Sequence, residues 1–266
     1  MRIREAWGVV ALVGALVVPV RAARACGPDF PPQLLADRAG RLSGLPESTF
    51  LFEASRLVPR PPDAFVVREG AEPEGARLGG GPEETALYEA GARAFHEGHP
   101  DEAVARFREV LALPAAQRAR FSPFAAFMLG RLTPASESAT HFAQVRELVR
   151  QGFADPLGLA VASLGEEALE HWSRGEDVEA LRLYAQQAAY GSDSGRASLL
   201  LVARAWVRDE ARMRRALADP LAQRLLATYA WTRGHEALWA EGATESTQPP
   251  LALMLEALAA VPGLAG

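Results

Sequence analysis

The chain has 266 residues, 49% hydrophobic and 23% charged, which is enough apolar mass for a sizeable core and excludes a wholly disordered polymer. A formal charge of -5 argues against the clustered basic face that a nucleic-acid partner requires, and a single cysteine excludes an internal disulfide framework or a multi-thiolate metal site. All 28 basic residues are arginine, and with only one isoleucine, Ile3, this is the mark of GC-rich coding rather than of a binding surface.

Residues 1–25 read as a signal peptide. Arg2 and Arg4 precede a 13-residue apolar run, Gly8–Val20, and Ala23 and Ala25 put small residues at -3 and -1 before Cys26. A bilayer span needs about 20 apolar residues, so the pattern predicts export and cleavage. Removing this segment takes away four arginines and one glutamate and moves the formal charge from -5 to -8. A cysteine directly after the cleavage site resembles the lipobox of bacterial lipoproteins. That resemblance implies lipidation of Cys26 and attachment to the outer membrane; Ala23 in place of leucine and Arg24 at -2 depart from it, and release into the periplasm is the alternative.

Residues 26–82 form a Pro/Gly-rich N-terminal segment and linker, with short amphipathic pieces at Gln33–Leu42 and Ser48–Leu57 and almost no apolar content over Gly70–Pro82. From Glu83 onward apolar residues recur at i, i+3, i+4 and i+7, and no useful alternating run follows residue 70, so the body is expected to be all-α. Ser122-Pro123, Asp155-Pro156 and Asp219-Pro220 each pair a capping side chain with a proline suited to the first helical position. Gly98, Gly152, Gly175, Gly191 and Gly234 stand where helices are expected to end.

Internal periodicity is the most specific feature. The run Ala90-Gly91-x2-Ala94-Phe95-x2-Gly98-x2-Asp101-Glu102-Ala103-x3-Phe107-x2-Val110-Leu111-x2-Pro114 resembles a tetratricopeptide repeat nearly position by position. A second copy, Ala168-x3-Trp172-x2-Gly175-x4-Ala180-x3-Tyr184, puts its turn glycine 77 residues after Gly98, about two repeats of roughly 34 residues with a small insertion. That spacing predicts a degenerate unit between them: Ser122–Leu132, with Met128-Leu129-Gly130 in the place of Ala90-Gly91, returning through Ala135–Gln151 after Pro134. Ser194–Arg208, Glu210–Ala218 and Pro220–Arg233 read as further helices, and the stretch from Tyr184 to Leu200 is faintly similar to the related Sel1-like repeat.

The repeat domain is thus expected over 83–233. Residues 234–266 form a loop and a C-terminal helix beginning at Leu251. An end at Gly266 without the polar capping helix of a solenoid leaves two expectations, a chain continuing further or a last helix folded back. The resemblance implies a right-handed superhelical stack of antiparallel helix pairs, a TPR-like α-solenoid, whose concave face is lined by the first helix of each pair. Carrying the family's groove positions across gives Tyr88, Ala92, Phe95 and His96, then Phe127 and Arg131, then Leu169, Trp172 and Ser173.

No catalytic constellation stands out. His96-Glu97-Gly98-His99 resembles HExxH superficially, but its histidines are three apart and straddle a predicted turn, so they do not share a helix face. His141, His171 and His235 are isolated; no phosphate loop or nucleophile elbow is present. The acid pairs Glu83-Glu84, Asp101-Glu102 and Glu166-Glu167 are expected in first turns or on polar faces. The expected function is therefore a non-enzymatic, cofactor-free scaffold in the cell envelope that binds a protein or peptide partner in the concave groove. The alternative is an envelope glycan-binding or glycan-processing module in which 26–82 packs over the groove and brings Asp29, Glu47 or Glu53 near its aromatics.

Overall fold

The computed structural model describes residues 50–69, 81–238 and the two tail residues Ala257 and Ala259, with side chains of the main body through Arg233. The described residues are all-helical, without a strand. Helices α1 (Pro82–His96), α2 (Pro100–Ala112), α3 (Ser122–Leu132), α4 (Ala135–Arg150), α5 (Leu159–Ser173), α6 (Asp177–Ala189), α7 (Asp193–Val207), α8 (Glu210–Ala216) and α9 (Pro220–Leu238) follow one another, with a 3-10 turn at Ala115–Gln117. Among them no helix is long and apolar enough to cross a membrane. Helices α1 to α8 pack chiefly on their neighbours in sequence, α3 also reaches α5, and α9 packs on α6 and α7.

Small residues set the crossings, as the repeat spacing predicts. Ala103 and Ala180 are fully buried, the first with Ala94, Phe107 and Ala125 from α1, α2 and α3, the second with Ala168 and Tyr184 from α5 and α6. A Cβ on Gly91 of α1 would stand 2.9 Å from the Phe107 ring of α2, and one on Gly130 of α3 would stand 2.5 Å from the Phe142 ring of α4. Only a bare Cα leaves room for the facing ring this close to the helix. The middle hairpin has its glycine nearer the turn, Thr133-Pro134 being the whole connection.

The expected helix ends are met at Gly98, Gly152, Gly175 and Gly191, all with positive φ. Gly234 is a correction, since it lies inside α9, whose helical backbone continues to Leu238. Capping at Asp155 also differs: α5 starts at Leu159 rather than Pro156, and the Asp155 carboxylate accepts from the Leu159 and Ala160 N–H groups across an intervening turn. Asp219 caps α9 as expected, accepting from the Leu221 and Ala222 N–H groups. Ser122 opens α3 but does not cap it; its hydroxyl donates to the Arg118 carbonyl.

Glu84 lies in the first turn of α1, as expected, but is buried there, and Glu167, in the middle of α5, is nearly buried rather than on a polar face. Glu84 is fully buried, and its carboxylate accepts from the Arg120 and Phe121 N–H groups ahead of α3. Glu167 pairs with Arg146 across α4 and α5 at 2.7 Å, both side chains nearly buried, and Arg146 also donates to the Ser163 hydroxyl. Both burials have one cause: a carboxylate can leave water where N–H donors replace its hydration.

Residues 50–69 lie against the helices. Phe50, Ala54 and Leu57, at and just after the helical turn 50–54, share an apolar cluster with α5, α6, α7, α8 and α9, and Phe50 meets Tyr229 edge-on at 6.2 Å. Phe65 is buried beside Ala160, Val161 and Leu164 of α5 and the Tyr190 ring after α6. Ala257 belongs to the first of these clusters, so a residue of the expected C-terminal helix is buried there. Cys26, Gln33–Leu42 and the linker stretch 70–80 lie outside the described residues, as does the signal segment.

Candidate functional site

The first helices of two successive pairs, α5 and α7, leave a cleft of about 250 Å³ between them, floored by α6. Leu169 and Trp172 line it from α5, Tyr184 from α6, and Ser198, Leu201, Val202 and Ala205 from α7. Its walls are mainly apolar. Leu169 is 55% and Leu201 63% exposed, so these large side chains stand at its edge without covering neighbours. Burial raises the pKa of the Tyr184 phenol above the usual tyrosine range, the Ser198 hydroxyl opposing the shift, and no proton-transfer role follows from it.

Trp172 is held from one side. The Arg212 guanidinium lies 3.7 Å over its ring, and Asp177 clamps that guanidinium through two hydrogen bonds of 2.6 and 2.5 Å. Asp177 also accepts from the buried Trp206 indole N–H at 3.2 Å, so one carboxylate at the start of α6 fixes α7, α8 and the wall of the cleft together. The salt bridge to Asp177 keeps Arg212 more firmly protonated than a free arginine. Since the Arg212 charge is neutralised where it stands, the cleft offers shape and apolar surface rather than a cation.

Of the groove residues read from the repeat, the structure brings Leu169 and Trp172 together. Tyr88 instead stacks on Phe121 at 4.3 Å and 4° and meets Phe107 and Phe124 at 5.6 and 6.1 Å, an aromatic cluster that knits α1 to α2 and α3. Phe127 meets Phe142 edge-on at 5.8 Å within the α3–α4–α5 packing. Phe95 and His96 sit exposed at the end of α1 with their rings 5.6 Å apart, Arg131 is exposed near the end of α3, and Ala92 and Ser173 belong to no cleft described above. The cleft residues of α7 were missed. Their signal was the run Leu199-Leu200-Leu201, which carries more leucine than one buried face can use: Leu199 is buried, and Leu201 points out.

Among the described residues the acid and histidine candidates do not converge on the cleft. Asp29 and Glu47 lie outside the described residues, and Glu53 sits half-buried on the helical turn 50–54. His96 ends α1 and His99 precedes α2, His171 bonds Glu176 at 2.5 Å, and His141 buries an Nδ1 without a partner. Among the described residues no three metal-ligating side chains gather. No protein-family model, curated protein or solved structure matches the chain.

Proposed function

We propose that the chain is a non-enzymatic binding scaffold of the cell envelope, a TPR-like superhelical stack of antiparallel helix pairs that holds a protein or peptide partner against the cleft between α5 and α7. One observation carries the reading: two exposed leucines flank a tryptophan and a tyrosine between the first helices of successive pairs. Small-molecule sites occupy roughly 300–1,000 Å³ and enclose most of the ligand. An open cleft of about 250 Å³ suits one or two anchoring side chains of a larger partner better. The stack itself is supported by the repeated small-residue crossings at Ala103 and Ala180 and by packing between sequence neighbours. Export and lipid attachment at Cys26 rest on the N-terminal sequence alone.

The test is a photo-crosslinking residue in place of Leu201, in chain expressed in the envelope, with and without Leu169→Glu. The expected result is a discrete adduct that Leu169→Glu abolishes while the helical circular dichroism stays unchanged. An adduct indifferent to Leu169→Glu rules out the cleft as the docking place. Mass spectrometry of the mature N-terminus tests the address: a chain beginning at Cys26 is expected, a diacylglyceryl group on it in membranes assigns the lipid anchor, and an unmodified Cys26 in the soluble fraction assigns periplasmic release.

A further inference from the structure

Away from the cleft, residues 63–69 cross one edge of the helical body as an extended strap held at three points. Asp63 pairs with Arg150 at the end of α4 at 3.0 and 3.3 Å and accepts from the Tyr190 hydroxyl at 3.3 Å. Phe65 fills a pocket of Ala160, Val161 and Leu164, 5.5 Å from the Tyr190 ring, with the Arg150 guanidinium 5.3 Å over its own ring. Glu69 accepts from the Ser192 and Ser194 hydroxyls and from the Asp193 and Ser194 N–H groups at the start of α7.

Three features distinguish this strap from ordinary packing. Between described residues, no backbone–backbone hydrogen bond ties 63–69 to the helices, so side chains do all the holding. Gly158 makes room for it: a Cβ there would stand 2.6 Å from the Val66 carbonyl oxygen. Finally, a space of about 170 Å³ remains between the strap and Leu157, Val161, Ala162 and Gln187, so the strap does not fill its own groove. An acid, an aromatic two residues later and a second acid four beyond that each meet a complementary partner, as side chains of a bound peptide do.

We propose that this edge of α4–α7 is a binding site for an extended peptide bearing an acid–x–aromatic–x3–acid pattern, and that residues 63–69 occupy it in cis as a displaceable stand-in. Tethering gives such an internal ligand an effective concentration of about millimolar, so a free peptide enters only when the strap is weakened or outcompeted. The site is separate from the α5–α7 cleft, and its failure leaves the scaffold reading standing.

The test titrates a fluorescent peptide of residues 60–71 against the full chain and against the same chain carrying Phe65→Ala and Glu69→Ala, read by anisotropy. The variant is expected to bind at least tenfold more tightly than the parent, and replacing the peptide's phenylalanine by alanine is expected to cost at least tenfold. Equal binding to both chains, no binding to a variant with parental helicity, or indifference to the peptide's phenylalanine overturns the proposal. If the variant does not fold, NMR of the Phe65 ring in the parent chain decides: loss of its buried-ring shift at saturating peptide supports the proposal, and a ring that stays buried refutes it.

Discussion

Gly130→Ala isolates the physical reason for a close helix crossing. In a helix, alanine is favoured over glycine by about 1 kcal/mol, and on an open face the change would stabilise the protein by up to that amount. At Gly130 the new methyl would lie 2.5, 2.7 and 2.8 Å from three atoms of the Phe142 ring, which is itself buried. The ring has no flexible end to swing away, so α3 and α4 must separate by several tenths of an ångström. Overpacking of this kind costs about 1–3 kcal/mol, which offsets or outweighs the propensity gain and predicts net destabilisation of up to about 2 kcal/mol. Phe142→Leu alone is expected to cost about 1 kcal/mol, but the double variant is expected to recover about 1 kcal/mol relative to the sum, because the smaller side chain admits the methyl. Urea unfolding of the four chains, followed by circular dichroism, measures this coupling. Stabilisation by Gly130→Ala, or a double variant that is simply additive, would refute the argument from contact.

Other outcomes follow from the polar network. Asp177→Ala strips the Arg212 guanidinium and the Trp206 indole of their shared acceptor and is expected to destabilise by about 2–4 kcal/mol, with a red shift of tryptophan emission; a loss below about 0.5 kcal/mol contradicts the clamp. Arg146→Ala is expected to cost about 3 kcal/mol by leaving Glu167 nearly buried and unpaired, whereas Arg146→Met with Glu167→Leu is expected to cost far less; equal losses in chemical denaturation argue against this account. Acid should loosen the strap before the helices. The Arg150 pairing, opposed by some burial, holds the Asp63 carboxyl below its ordinary pKa; at Glu69 burial pushes upward, but the Ser192 and Ser194 hydroxyls and the N–H groups outweigh it. Because both folded pKa values lie below the unfolded ones, their stabilisation is complete above about pH 5 and fades as pH falls through about 4 and below. NMR shifts of the buried Phe65 ring that stay unchanged down to about pH 3 would contradict this.

The helical class, the positions of most hairpins and the residues at their crossings were legible in the sequence, because periodicity and turn chemistry are local properties of the chain. Gly91, Ala103, Ala168 and Ala180 could be picked out because a close approach demands a small side chain whatever the partner. Likewise, four of the five glycines expected at helix ends show the left-handed backbone for which glycine is suited. Gly234 lies within a helix because the backbone stays helical to Leu238, and a glycine inside a helix and one at its end look alike in the sequence.

The partners of each side chain were decided by tertiary structure alone. Tyr88 and Trp172 are both groove positions in the repeat reading, yet one is stacked inside an aromatic cluster and the other faces a cleft with an arginine on its ring. That difference comes from Phe121 and Arg212, which lie 33 and 40 residues away in the chain. The same holds for Glu69, whose partners at Ser192–Ser194 are more than 120 residues distant. A repeat pattern prescribes which faces are apolar, because burial depends on local spacing. Which apolar face stays uncovered, and which acid finds donors inside, depends on contacts that exist only once the distant helices have met.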